Sequence, residues 1–260
     1  MPELPEVEHA VRRLRPAVVG RRLTAVATHH ATARRALPDA QATALAGRQV
    51  TAVERVGKHQ LLRLDDGQVL HAHFRMNGDW QMTPAGEPPP RYARVSFTFD
   101  DGSAVHLVDA RALATVVLRA PGHADPALGP DAADPAFDEP ALAAGLRGRR
   151  AAIKPALLDQ RVVAGVGNIY AAEALWRAAI DPRVPATRLG AVRRARLVDA
   201  IRATMADALA DAGRYQDGEA LERLAVYDRE GQPCRRCAAP IRRVVQAGRS
   251  TYFCGECQRR

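Results

Sequence analysis

All four cysteines of this 260-residue chain lie in its last 27 residues, as Cys234-x2-Cys237 and Cys254-x2-Cys257 with sixteen residues between the pairs. Each Cys-x2-Cys turn brings two thiolates to one side of a knuckle, and two knuckles close a tetrahedral site around one Zn²⁺. Residues 241–245 and 250–253 read as strands joined at Ala247-Gly248, so the spacing predicts a zinc ribbon. Two disulfides are the competing reading, and a cytosolic chain with no other cysteine argues against them. Four protein ligands leave no open position, which makes the zinc structural and assigns any catalysis to other residues. Arg242, Arg243 and Arg249 on the same hairpin suit phosphate contact.

The charge is divided unevenly. The formal net charge is +9, yet residues 1–140 hold 16 Lys and Arg against 17 Asp and Glu, while residues 141–260 hold 22 against 12. The whole positive excess sits in the C-terminal half, the footprint of a polyanion binder; a solvated arginine-rich surface is the alternative. Only two of the 38 basic residues are lysines, Lys58 and Lys154, and only two asparagines occur, Asn77 and Asn168. Arginine stays protonated, whereas a lysine amine shifts its pKa and moves protons. Both lysines are therefore candidates for a task that arginine cannot perform. The length suffices for one large domain or two small ones. No stretch resembles a secretory signal and no apolar run reaches membrane-spanning length, so a soluble intracellular protein is expected.

The chain opens Met1-Pro2-Glu3-Leu4-Pro5-Glu6-Val7-Glu8. Initiator methionine is trimmed ahead of a small residue, proline included, which would leave Pro2 with a free secondary amine. An α-amino group titrates near roughly 7.7–8.0, so a fraction is neutral and nucleophilic at neutral pH. Its attack on a sugar aldehyde carbon yields an iminium ion with no N–H proton to lose, and Glu3 beside it could move protons. The plainer alternative is a helix start, with Pro5 at the first helical position and acidic residues in the first turn.

Val7, Val11, Leu14 and Val18 predict an amphipathic helix over 5–19. From about 22 to 119 the pattern changes to short strand-like runs with turns at Asp65-Asp66-Gly67 and Asp100-Asp101-Gly102, which fits a β-sandwich behind one helix. Helical patterns follow over 141–147, 151–160, 168–179 and 187–212. Between the second and third lies Ala164-Gly165-Val166-Gly167-Asn168. Its glycines let the backbone approach a partner closely, and the helix N-terminus behind it offers N–H groups to a phosphate. Asn168 either caps that helix or donates its amide to the same phosphate.

Taken in order, the N-terminal motif, the sandwich, the Gly-Val-Gly-Asn-Ile-Tyr turn and the terminal ribbon resemble the formamidopyrimidine-DNA glycosylase/endonuclease VIII family of base-excision repair enzymes. The opening Pro-Glu-Leu-Pro-Glu-Val-Glu resembles the formamidopyrimidine branch, and the similarity covers nearly the whole chain. It implies an α+β multidomain fold. Residues 1–120 would form the catalytic helix and β-sandwich, 121–140 a linker, 141–226 a helix–two-turn–helix DNA-binding domain and 227–260 the zinc ribbon. The resemblance implies a monomeric glycosylase and AP lyase that removes oxidised bases from damaged double-stranded DNA, with no membrane association, in the cytoplasm at the nucleoid. One structural zinc is the implied cofactor.

The same resemblance implies the roles of single residues. Pro2 would attack C1′ of the damaged nucleoside and Glu3 would protonate the opening sugar. Lys58, in Val56-Gly57-Lys58, would sit near the phosphates and the elimination chemistry. Lys154 and Asn168 would hold phosphates flanking the flipped nucleotide, with Arg149 and Tyr92 as further DNA contacts. Arg249 would grip phosphate from the ribbon and take part in the second elimination. Met76 would be the wedge filling the gap left by the flipped base; a core methionine at a strand end is its alternative.

One departure stands out. The branch has Asp-Pro-Arg-Arg-Phe-Gly where this chain has Asp109-Ala110-Arg111-Ala112-Leu113-Ala114. Arg111 keeps the arginine that pairs with the base opposite the lesion, and Leu113 replaces the aromatic wedge. The stretch from 212 to 226 is also shorter than in purine-specific members, where it includes the loop folding over 8-oxoguanine. Two rival readings accompany the main one: an AP lyase with little base excision, and a non-catalytic lesion-binding protein. Pro2, Glu3 and Lys58 argue against the second.

Overall fold

The computed structural model describes residues 1–210 and 223–260. The chain forms two compact units: Glu6–Pro126 with Met1–Pro2, and Ala127–Arg260 with Glu3–Pro5.

The first unit is built on helix α1 (Leu4–Val18) and two four-stranded antiparallel sheets. Val7, Val11, Leu14 and Val18 are buried on one face of α1, as their spacing predicts, and Arg12 and Arg13 on the other pair with Glu8 and Asp79. One sheet runs in the order β1 (Leu23–Thr28), β6 (Ala93–Phe99), β7 (Ala104–Val108), β5 (Asp79–Thr83). The other runs β2 (Val50–Val56), β3 (His59–Leu64), β4 (Val69–His73), β8 (Thr115–Arg119). Both Asp-Gly turns form, with Gly67 and Gly102 each at φ 80°. Trp80 packs edge-on against Phe74 and Phe97, and its indole N–H donates to Gln60 of the other sheet at 2.5 Å. Within the stretch that reads as strands alone, residues 31–36 and 39–44 are the helices α2 (Ala31–Ala36) and α3 (Asp39–Ala44). Six residues are fewer than two turns, too short to establish a 3.6-residue period in the sequence.

Two of the chain crossings between the sheets carry residues singled out in the sequence, Met76 in one and Arg111 and Leu113 in the other. Residues 74–78 carry the chain from β4 to β5, and 109–114 carry it from β7 to β8. The two turns touch: a Cβ on Gly78 would lie 2.8 Å from the Phe74 backbone and 2.9 Å from Ala114.

The second unit packs α4 (Glu139–Leu146), α5 (Ile153–Leu158), α6 (Asn168–Arg177) and α7 (Ala191–Ala210) around one apolar core that also takes in Leu4, Ala132 and Phe137. A two-stranded ribbon of β9 (Ile241–Gln246) and β10 (Arg249–Cys254) packs on α6 through Ala172, Val226, Ile241 and Tyr252. The expected helix over 187–212 begins as a short 3₁₀ turn at Ala186–Arg188 before α7, and its residues 211–212 lie outside the described part. Among the described residues, no helix is long and apolar enough to cross a membrane.

Candidate functional site

The N-terminal segment docks onto the Gly165–Gly167 turn. The Glu3 carboxylate is buried and accepts the backbone N–H groups of Gly167 at 2.6 Å, Ile169 at 2.9 Å and Tyr170 at 3.4 Å. These are unpaired donors at the start of α6, where the helix dipole favours negative charge. Leu4 N–H donates to Gly165 O at 3.1 Å. The glycines are required by this approach: a Cβ on Gly167 would fall 2.3 Å from the Glu3 carboxyl carbon, and one on Gly165, at φ 93°, 2.4 Å from Leu4. The sequence pattern pointed to a close partner and an anion at this helix end. The close partner is the chain's own N-terminal segment, and the N–H groups expected to meet a phosphate are taken by the Glu3 carboxylate.

Asn168, in the first turn of α6, accepts a hydrogen bond from Lys154 Nζ at 2.5 Å and donates to Ser250 O at 3.2 Å. It does not cap the helix; the N-cap is Gly167. Lys154 Nζ donates further to Thr251 Oγ1 at 3.0 Å and to Ser250 O at 3.2 Å, and the side chain is 1% exposed. Burial pushes its pKa down to about 8; Glu3 works against that shift and Arg249 adds to it. Lys154 and Asn168 thus bind β10 to α6 just beyond Arg249. The Arg249 side chain is exposed and, among the described residues, makes no side-chain hydrogen bond or ion pair, while its backbone pairs with Gln246 in the ribbon. Arg149 is half-buried, donating to Gly145 O at 2.8 Å and pairing with Asp159 at 2.8 Å.

Glu173, which sequence reasoning missed, accepts the N–H groups of Ala225, Val226 and Tyr227 at 2.8, 3.0 and 2.9 Å and is buried. A glutamate five residues past Asn168 looks like ordinary helix surface, and nothing local marks the turn at 225–227 that it holds.

In the first unit, Lys58 follows Gly57 in a two-residue turn between β2 and β3; Gly57 takes φ 59° and Lys58 is 6% exposed. His59 and His73 face each other across β3 and β4, with ring centroids 4.8 Å apart, and His59 Nδ1 lies 2.7 Å from His71 Nε2. Burial, with positive neighbours, lowers His59 to about 4 and His73 to about 3. Met76 is half-buried in the β4–β5 crossing. In the β7–β8 crossing, Asp109 is buried and accepts the N–H groups of Arg111, Leu113 and Ala114 at 2.9, 2.6 and 2.8 Å. That grip leaves Arg111 exposed and Leu113 43% exposed, an apolar side chain held in solvent by a rigid turn. Tyr92 is also exposed, at φ 67°, with the Arg91 guanidinium 4.5 Å above its ring.

The four cysteine Sγ atoms lie within 4.8 Å of one another, with Cys234–Cys257 at 3.9 Å and Cys237–Cys254 at 3.5 Å. A tetrahedral zinc with Zn–S bonds of about 2.3 Å has S···S edges of about 3.8 Å, so the donor set fits zinc. The same spacing excludes disulfides, whose S–S bond is about 2.05 Å.

Residues 1–116 match the formamidopyrimidine-DNA glycosylase N-terminal domain, 128–217 the H2TH domain of the same enzymes, and 231–260 the zinc finger found in FPG and IleRS. The formamidopyrimidine-DNA glycosylase of Bordetella parapertussis is 44% identical, with both chains covered in full, as is that of a Roseiflexus species. This chain belongs to the formamidopyrimidine-DNA glycosylase family. Its fold matches that of the Lactococcus lactis formamidopyrimidine-DNA glycosylase bound to abasic-site DNA, with a TM-score of 0.91 and 30% identity over 99% of this chain and all of the other. It also matches MutM in complex with DNA containing carbocyclic 8-oxoguanine, with a TM-score of 0.90 and 31% identity over both full chains. The chain is accordingly a DNA glycosylase, and its ribbon holds one structural zinc.

Proposed function

We propose that this glycosylase uses the secondary amine of Pro2, freed by loss of Met1, as its nucleophile on damaged duplex DNA, and that it is also an AP lyase. The observation that carries the reading is the buried Glu3 carboxylate, fixed by three backbone N–H groups immediately after Pro2 in the chain. The Pro2 nitrogen bonds to C1′ as the glycosidic bond breaks and the base leaves. The Glu3 carboxylate takes the proton that the Pro2 nitrogen sheds on bonding to C1′ and hands it to O4′ as the sugar ring opens, which leaves an iminium ion. Its electron withdrawal acidifies the C2′ proton, so elimination breaks the 3′ and then the 5′ phosphate bond. Lys58 serves the elimination steps. Arg249 contacts phosphate and assists the second elimination, while Lys154 and Asn168 fix the strand that carries it beside the flanking phosphates. Met76, Arg111 and Leu113 fill and read the gap left by the flipped base, and Tyr92 and Arg149 add DNA contacts. The protein works as a monomer at the nucleoid. Functionally it divides into a catalytic part over 1–120, a connector over 121–140, a DNA-binding part over 141–226 and the ribbon over 227–260.

Borohydride trapping tests the nucleophile. Protein lacking Met1 should be captured covalently on abasic-site DNA, Pro2→Gly should be captured poorly, and protein retaining Met1 should not be captured. Normal trapping with Met1 in place would remove the assignment.

Substrate choice follows from how easily each lesion leaves the helix. Ring-opened formamidopyrimidines, hydantoins and oxidised pyrimidines stack or pair poorly and need little help. Telling 8-oxoguanine from guanine requires specific hydrogen bonds to the flipped base. The stretch that would supply them, 212–226, is short; of it, 212–222 lie outside the described residues. Single-turnover excision of the distorted lesions should therefore exceed that of 8-oxoguanine opposite cytosine. The reverse order would place the chain with the purine-specific enzymes.

A further inference from the structure

Helix α6 begins at Glu3 and ends at the zinc ribbon. In its last turn, the Trp176 indole N–H donates to Cys234 Sγ at 3.4 Å, and the same sulfur accepts the Arg236 backbone N–H at 3.4 Å. The Arg236 guanidinium lies 4.5 Å above the Trp176 ring and reaches the Arg177 carbonyl at the open end of the helix, at 3.5 Å. Arginine, indole and thiolate are thus stacked in series between the helix end and the first knuckle.

Four thiolates around a zinc dication carry a net charge of about −2, and the C-terminus of a helix adds a partial negative charge. Such a centre gains from N–H donors that draw charge off its sulfurs. Indole nitrogen can only donate, so this contact has a fixed sense. A cation stacked on the ring polarises the indole and strengthens that donation.

We propose that Trp176 is a positioning residue of the zinc centre: its N–H holds the Cys234 thiolate, and with Arg236 on its ring it sets how tightly the ribbon retains zinc. The inference rests on the zinc site, and it is independent of the assignment of Pro2.

The test uses the full-length zinc-loaded protein. Trp176→Phe keeps an aromatic ring under Arg236 and deletes the N–H. Zinc transfer to excess pyridylazo dye, followed by its colour change, should be roughly 10-fold faster or more for this variant, since losing an outer-shell donor costs about 10–100-fold in metal affinity. Arg236→Gln should accelerate release less. In cobalt-substituted Trp176→Phe, the sulfur-to-cobalt charge-transfer band should move to lower energy, because a thiolate that has lost a donor gives up electron density more readily. Release at the wild-type rate overturns the proposal. Faster release with an unmoved band assigns the effect to packing and overturns it too. If Trp176→Phe does not accumulate as folded protein, Arg236→Gln decides: its side chain is exposed, and an unchanged release rate overturns the proposal.

Discussion

Gly167 is the residue on which the arrangement of Glu3 turns. Its φ is −130°, which any residue can adopt, so the need for glycine is one of space. An added methyl group would overlap the Glu3 carboxyl group and force it off its three N–H donors. Hydrogen bonds to a charged group contribute about 1.5–3 kcal/mol each, so Gly167→Ala should cost about 2 kcal/mol or more in urea unfolding and slow borohydride trapping. Gly190→Ala, with nothing within 4 Å of the new methyl, is the control and should change neither. Equal behaviour of the two variants would show that Glu3 placement does not depend on this contact. The glycine pattern was legible as a close approach, but its partner was not, because Glu3 lies 164 residues away and sequence periodicity reports only on neighbours. The two lysines that stand out by rarity are both buried polar residues of the fold. Rarity could flag them without revealing that Lys154 spends its donors on Asn168, Ser250 and Thr251.

Among the elements, the β3–β4 hairpin carries its own pH dependence. His73 Nδ1 accepts the Arg75 N–H at 2.9 Å, which puts the proton of the neutral ring on Nε2. Burial is the largest cause of the depressed pKa values of His59 and His73, and Arg75 and Lys58 add to both. Their folded values lie below the ordinary one of about 6.5, so the unfolded chain binds these protons first. The stability they confer is complete above pH 6.5 and is lost as pH falls towards 4 and 3. At pH 5 the loss should be about 2 kcal/mol for each histidine. Replacing both with glutamine should flatten urea stability between pH 7.5 and pH 5; an unchanged slope would show that other groups govern it. The hairpin was legible from its Asp-Asp-Gly turn. Its histidine cluster was not, since three histidines on one face appear only once the register of two strands is fixed. Helix α6 presents the same contrast. Its apolar period and leading glycines predict the helix, while Glu173 and Trp176 acquire meaning from a turn and a cysteine knuckle 50 or more residues away.

For the whole molecule, charge and zinc meet at Arg249. The excess of basic residues over 141–260 gives this half a long-range attraction for a polyanion. Among the described residues most of its arginines nonetheless engage protein atoms, as Arg149 does with Asp159, Arg183 with Asp181, Arg194 with Glu139 and Arg243 with Ser250. Arg249 differs, being exposed at the first position of β10, opposite Gln246, with Lys154 and Asn168 holding the next two residues. A phosphate bound there would meet a guanidinium presented by a strand that the zinc site closes at its other end, at Cys254. Each phosphate neutralised contributes a slope of about 0.9 in log affinity against log salt. Arg249→Ala should therefore weaken binding to abasic-site DNA, reduce the salt slope by about 0.9 and leave thermal unfolding unchanged. Zinc chelation should lower the slope by at least as much, because the ribbon's fold depends on the metal. Titrations at four or more salt concentrations on the same duplex decide the matter: a slope unchanged in both the variant and the chelated protein would mean that the ribbon makes no phosphate contact and that the net positive charge acts through other arginines.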